Sequence, residues 1–225
     1  ISSDKRLPSI SRIRRMPAEK LRAVKIPLQI DTLNLQKTAI FYSEKVARKQ
    51  DAGELFITDI HAQLFGLRTR PNTGDSLHLA IKGKIMGIGE VDTHIAITLA
   101  TPDLNAKIVG NIGEMKADFM NQFLEATRHI QIRKGKIQAV HFRVNMQDTL
   151  ATGELEAGYR HLRLDILSRK KENKKLGFIS FLANLFIKNH NNLNKRHHKV
   201  GNILYTRQPD ESFVCLLYTS PSPRD

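Results

Sequence analysis

Apolar and polar residues alternate one by one through much of this chain, and a period of two commits it to β-structure. Across 77–85, Leu77, Leu79, Ile81 and Ile85 fall on one side, and His78, Lys82 and Lys84 on the other. That is the pattern of a strand with one face buried and one face wet. After Gly87-Ile88-Gly89 it resumes, with Val91, Ile95, Ile97 and Leu99 against Asp92, His94 and Thr98. A third run sets Val140, Phe142, Val144 and Met146 against His141, Arg143 and Asn145. A fourth sets Leu155, Ala157 and Tyr159 against Glu154, Glu156 and Gly158, and a fifth Leu162, Leu164 and Ile166 against Arg163 and Asp165. Earlier strands are predicted over 26–35, 39–46 and 54–67.

Short turns at Gly87-Ile88-Gly89, Asn111-Ile112-Gly113 and Met146-Gln147-Asp148 join these runs. Short links make antiparallel neighbours, because a parallel pair needs a crossover of about a dozen residues or more. The fold class predicted is mainly β: a long, twisted antiparallel meander of about eight to ten strands, groove-like, with two short helices. One helix is predicted over 116–129, where Phe119, Met120, Phe123 and Leu124 recur at helical spacing behind Asp118. The other covers 176–188. Its apolar run is too short for a bilayer core of ~30 Å at about 1.5 Å per residue.

Two short helices cannot cover the apolar side of eight or more strands. A bare face of that size invites aggregation. The sheet therefore has to close, pair with another sheet, continue into further sequence, or hold an apolar ligand.

Charge first suggests a different partner. The 225 residues carry 36 Lys+Arg against 22 Asp+Glu, a net +14, as in binders of nucleic acid or anionic membranes. The excess is local: residues 1–25 carry +6, 26–167 only +1, 168–207 +9 and 208–225 −2. A nucleic-acid module spreads its cations over a face of the fold, so the neutral middle argues against nucleic acid. The clusters Lys170, Lys171, Lys174, Lys175 and Lys195, Arg196 bracket the 176–188 helix. Two readings stand together there: a helix lying on an anionic membrane surface, and a helix capping the sheet between solvated loops.

Motifs for catalysis are missing from the sequence. Gly87 and Gly89 lack the third glycine and following helix of a dinucleotide fingerprint and read as a hairpin turn. There is no Walker A loop, His-Glu-x-x-His pair or Gly-x-Ser-x-Gly elbow. Glu154 and Glu156 share the wet side of one strand, as solvated charges. His190, His197 and His198 sit among cations without a carboxylate, which opposes a divalent metal. The expectation is a chain without enzymatic activity, metal or cofactor. The opening residues lack an initiator Met, and 215–225, with the single cysteine Cys215, read as translated sequencing adaptor. The natural protein is expected to extend further, with 1–25 a basic segment continuing from upstream.

Taken in order, Ile40-Phe41-Tyr42-Ser43-Glu44-Lys45, the stretch from Gly53 to Ile60, and that from Gly110 to Asn121 carry a family resemblance. So do the stretches from Gly135 to Phe142, from Gly153 to Tyr159, Phe181-Leu182-Ala183-Asn184, and from Arg207 to Phe213. Over roughly 26–214 the chain resembles the C-terminal region of the AsmA-like bacterial envelope proteins, Bacteroidetes-type members in particular. Order and spacing carry the resemblance rather than any one phrase.

The resemblance implies an open β-groove lined by apolar side chains, an inner-membrane anchor upstream, a periplasmic location, and a part in outer-membrane biogenesis and phospholipid movement. It brings no catalytic residues. Phospholipid or another apolar ligand, a membrane surface and other envelope proteins are the partners expected. A scaffold or adaptor that binds through its sheet edge or basic tail is the alternative. The residues expected to line the groove or core are Leu77, Leu79, Ile81, Ile95, Ile97, Leu99, Val140, Phe142, Val144, Leu162 and Leu164.

Overall fold

The computed structural model describes residues 21, 23–44, 51–101, 105–167, 190–194 and 198–206. These residues build one antiparallel sheet of nine strands. They are β1 (Gln29–Glu44), β2 (Gly53–Arg68), β3 (Ser76–Ile85), β4 (Gly89–Thr98), β5 (Asn105–Ile112), β6 (Met115–Lys116), β7 (Ile130–Gln147), β8 (Leu150–Ile166) and β9 (Val200–Thr206). Spatial order follows chain order, with β6 pairing on β7 beside β5, so the predicted meander is the architecture. The sheet is open, with β1 and β9 as its edges.

Four local readings are corrected. The strands predicted at 26–35 and 39–46 are one strand, β1, whose register slips around Lys37, a residue with φ of 52°. The fourth and fifth runs are likewise one strand, β8, bulged at His161 (φ 52°) opposite the Gly135 region of β7 (φ 145°). A bulge shifts the side-chain phase by one, so each continuous strand reads as two in sequence. Asn111 and Ile112 lie inside β5, and Met146 and Gln147 inside β7, rather than in turns. Strand β9 was not anticipated. The turn at Gly87 is as expected: Met86 and Gly87 take positive φ, and Ile88 N–H donates to the Ile85 carbonyl at 3.1 Å.

The first predicted helix is present as a 3-10 turn, Ala117–Met120, running into α1 (Asn121–Arg128). The second, over 176–188, lies outside the described residues, as do Lys170, Lys171, Lys174, Lys175, Lys195 and Arg196. The turn and α1 are looped out of a strand. Ile112↔Val140, Met115↔Ile137 and Lys116↔Lys136 keep one register on β7, so β6 continues β5 after Gly113 and Glu114. Asn121 then takes the place of a strand at the vacated edge. Its side-chain amide donates to the Ile132 carbonyl (3.0 Å) and accepts from the Ile132 N–H (2.8 Å). Both backbone groups are thereby satisfied where the ladder stops. His129 ends the helix in the left-handed conformation (φ 55°), its N–H returning to Glu125 and Leu124.

Helix α1 packs into the apolar side and touches strands far apart in the sheet. Its Phe123 and Leu124 share a buried cluster with Leu55 of β2 and with Ile137, Ala157 and Tyr159 of β7 and β8. The Phe123 ring lies 6.1 Å from that of Tyr42 on β1. Strands β2 and β7 are four steps apart, roughly 19 Å in a flat sheet at ~4.8 Å per step, whereas a helix is only about 10 Å wide. The sheet therefore curls around α1. Gly53 permits the closest approach, since a Cβ there would collide with the Phe123 carbonyl and ring and with Thr127.

At the opposite edge, buried Asn191 fastens the last described segment to β8. Its Nδ2 donates to the Ala157 and Lys199 carbonyls at 2.8 and 3.0 Å, and its Oδ1 accepts the Lys199 N–H at 2.8 Å. The Asn191 and Tyr159 backbones exchange two hydrogen bonds. Beside them His198 Nε2 stands 3.5 Å from Glu156 Oε2.

Candidate functional site

Cross-strand register decides which side chains share a face. Leu33, Leu64, Leu79, Ile95, Ile108, Val144, Gly153 and Ile203 are successive partners across eight strands. All but one are bulky and apolar. The neighbouring row on the same face is Leu35, Ala62, Ile81, Thr93, Gly110, Phe142, Leu155 and Gly201. Four of those eight are small, with Thr93 and Gly110 side by side at the centre. The apolar face thus has a waist running across the strands, about 34 Å long over seven steps of ~4.8 Å.

Two buried clusters flank this waist. On one side lies the α1 cluster, with Val140, Ala157, Tyr159 and Leu162 at its heart. On the other, Ile97, Leu99, Ala106, Ile108, Met146 and Ala151 form a second cluster, with Leu21 packed against it. Of the expected lining residues, Ile97, Leu99, Val140 and Leu162 are buried in these clusters. Leu77, Leu79, Ile81, Ile95, Phe142, Val144 and Leu164 are half-buried. Register puts Leu77, Leu79, Ile81, Ile95, Ile97, Val140, Phe142 and Val144 on this one face, while Leu99, Leu162 and Leu164 join it through the clusters.

Among the described residues, cover ends toward β1. Leu33, Leu35 and Ile40 stand on the apolar side opposite Leu64, Ala62 and Ile57, yet remain 38%, 43% and 50% exposed. Sequence reasoning missed these three, although β1 was predicted in two parts, because the slip at Lys37 hid their common face. It also missed Ile108, whose strand is broken up by Ala106 and Gly110.

Phe142 shapes the middle of the waist. Gly110 has no side chain, and the Phe142 ring leans across it into the space a Cβ would fill; a Cβ there would also lie 2.7 Å from Thr93 Oγ1. Thr93 is itself buried. Phe142 packs with the second cluster and its partner Leu155 with the first, so the ring bridges the gap between them.

The other face is mostly polar, although Phe41, Phe65 and Val109 stand exposed on it. Lys82 pairs with Asp92 at 3.7 Å and Lys84 with Asp59 at 3.3 Å, and His141 Nδ1 lies 2.6 Å from Asn111 Oδ1. An open depression of about 740 Å³ there is lined by Lys37, His61 and Glu90 among others. Its charges are of both signs and largely pair with one another, so it singles out no ligand. Glu154 and Glu156 lie on this face, opposite Arg143 and His141. Burial pushes the Tyr159 hydroxyl up to about 12; this group belongs to the core. Among the described residues, no group of three His, Cys, Asp or Glu side chains could hold a metal ion. None of their helices is long and apolar enough to cross a membrane.

No family model, curated protein or solved structure matches this chain.

Proposed function

We propose that this chain is a non-enzymatic envelope protein of the AsmA-like type, which holds phospholipid acyl chains against the apolar face of its sheet. The observation that carries the reading is the unfinished cover of that face. Alpha-helical cover and Leu21 bury its two flanks, while the waist between them runs to β1, where Leu33, Leu35 and Ile40 meet solvent. Apolar area left in water costs about 25 cal/mol per Å², and an acyl chain along the waist removes that cost without any catalytic group. A transverse trough also suits a long, unbranched ligand, since it presents side chains from every paired strand in turn. Work at the outer membrane and a periplasmic location behind an inner-membrane anchor belong to the same proposal through the family resemblance.

The test is native mass spectrometry of the full chain, purified without detergent and then exposed to phosphatidylethanolamine vesicles. Retained phospholipid, reduced when Leu35 and Ile40 are replaced by Ser, is the expected result. A chain that neither retains nor takes up lipid would falsify the proposal.

A second reading, a scaffold that binds an envelope protein by strand addition, is favoured by the open edge of β9. Val200–Thr206 carries no charge and no proline, and Val200 and Leu204 are exposed, so it lacks the usual protection of an edge. Retained peptide instead of lipid in the same spectra would select this reading.

A further inference from the structure

We infer that Phe142 is a displaceable plug at the centre of the waist, and that an acyl chain crossing the sheet takes the place of its ring over Gly110 and Thr93. The inference rests on the lipid-groove reading and assigns the control of that groove to one side chain. Three observations carry it. The ring covers a spot on the central strands where the backbone lies bare, since its position overlaps that of a Cβ at residue 110. Thr93 beside it is a buried polar residue on an otherwise apolar face, so this spot is neither bulky nor strongly cohesive. Phe142 itself is only half-buried, as is Val144 beside it, whereas Val140 and Met146 further along the same face are buried.

A core phenylalanine has aromatic or aliphatic partners closing over it. This one instead lies along a groove whose two walls are the separate clusters, and it touches both sides of the divide directly or through Leu155. With the ring down, the waist is interrupted between β5 and β8. Rotation about χ1 lifts it away from Gly110, and no backbone movement is needed because the dent is made by an absent side chain. A ligand entering at Leu35 and Ala62 meets Ile81 and Thr93 before it reaches the plug. Binding in the wild-type chain is therefore weakened by the contacts that the displaced ring gives up.

The test uses the full chain and cis-parinaric acid, a fluorescent long-chain fatty acid, with Phe142→Ala and Phe142→Leu. Removing the ring is expected to tighten binding about three- to tenfold for Ala and less for Leu, in line with the worth of a half-buried aromatic side chain. As an independent readout, wild-type protein is labelled with 4-fluorophenylalanine, and the resonance of residue 142 is identified by its loss in Phe142→Leu. It is expected to shift as the fatty acid is added, and this measurement decides the matter if Phe142→Ala does not fold. Equal affinity in wild type and variants with an unmoved fluorine resonance overturns the plug and leaves the groove standing. Absence of binding in wild type and variants alike overturns both. Binding confined to the variants supports the plug in its strongest form.

Discussion

Hairpins β1–β2 and β7–β8 are the two longest pairings of the sheet, made of strands of 16 to 18 residues. Each is bent by left-handed residues, Lys37 and Asp59 in one, Gly135 and His161 in the other. Both alternate apolar and polar side chains. Their apolar faces nevertheless end in different surroundings: Tyr159 is wholly buried and Leu162 nearly so, while Leu35 and Ile40 are about half in water. The difference comes from what the chain inserts nearby. Helix α1 immediately precedes β7 and packs between β7 and the start of β2, closing the cluster that buries Tyr159 and Leu162, with Asn191 securing the far side of β8. On β1, Tyr42 near its end meets the helix, while Leu35 and Ile40 stay exposed. Alternation makes a face, and its neighbours in sequence decide whether that face becomes core or surface.

This contrast can be broken by experiment, and the largest effect is expected at Tyr159. Tyr159→Ala should cost about 3–5 kcal/mol of stability by urea unfolding, as for other large aromatic truncations in cores. The matched pair Leu162→Ala and Leu35→Ala isolates burial at constant chemistry. The first should cost about 2–5 kcal/mol and the second below about 1 kcal/mol; similar losses at both sites would mean that β1 is covered in solution. Asn191→Ala should cost about 1–3 kcal/mol, because the carbonyls of Ala157 and Lys199 lose their donors. Its signature is faster amide exchange at Tyr159 and Lys199 with little change in β1–β3.

Alkali provides a milder probe of the same contrast. The Tyr159 hydroxyl has its folded pKa raised to about 12 from 10.0 by burial. The neutral form is thus favoured by folding. Its contribution is complete below pH 10 and is lost as pH rises from 10 toward 12. Unfolding midpoints followed over that range should fall, and Tyr159→Phe should flatten the fall.

The smallest effects belong to the polar face, where the two hairpins ought to behave alike. Asp165→Asn, which breaks the 2.6 Å pair with Arg133, and Asp59→Asn, which breaks that with Lys84, should each cost less than about 1 kcal/mol, and less still in high salt. A large loss at either would move part of the difference between the hairpins to the charged side.

Much of the architecture could be read from the sequence because a half-buried strand repeats a local rule. Leu77, Leu79 and Ile81 announce their face without reference to any partner, and Phe123 and Leu124 announce a helix. What escaped depends on phase or on distant contacts. Lys37 and His161 each shift the phase inside a strand, so one strand was read as two. Ala106 and Gly110 give β5 too little apolar signal, although they shape the waist. The waist itself appears only when eight strands are set in register, which no single segment encodes. Asn121 and Asn191 look like loop residues in sequence; their value lies in meeting Ile132, Ala157 and Lys199, which the fold alone brings near.

Because β6 resumes on β7 the register of β5, cover and sheet are separable parts of this chain. A change in the length of the segment between Lys116 and Ile130 alters how much of the trough is roofed without moving a single strand pairing. Resizing this one insertion therefore sets how much of the apolar face stays open while the nine-stranded frame is constant.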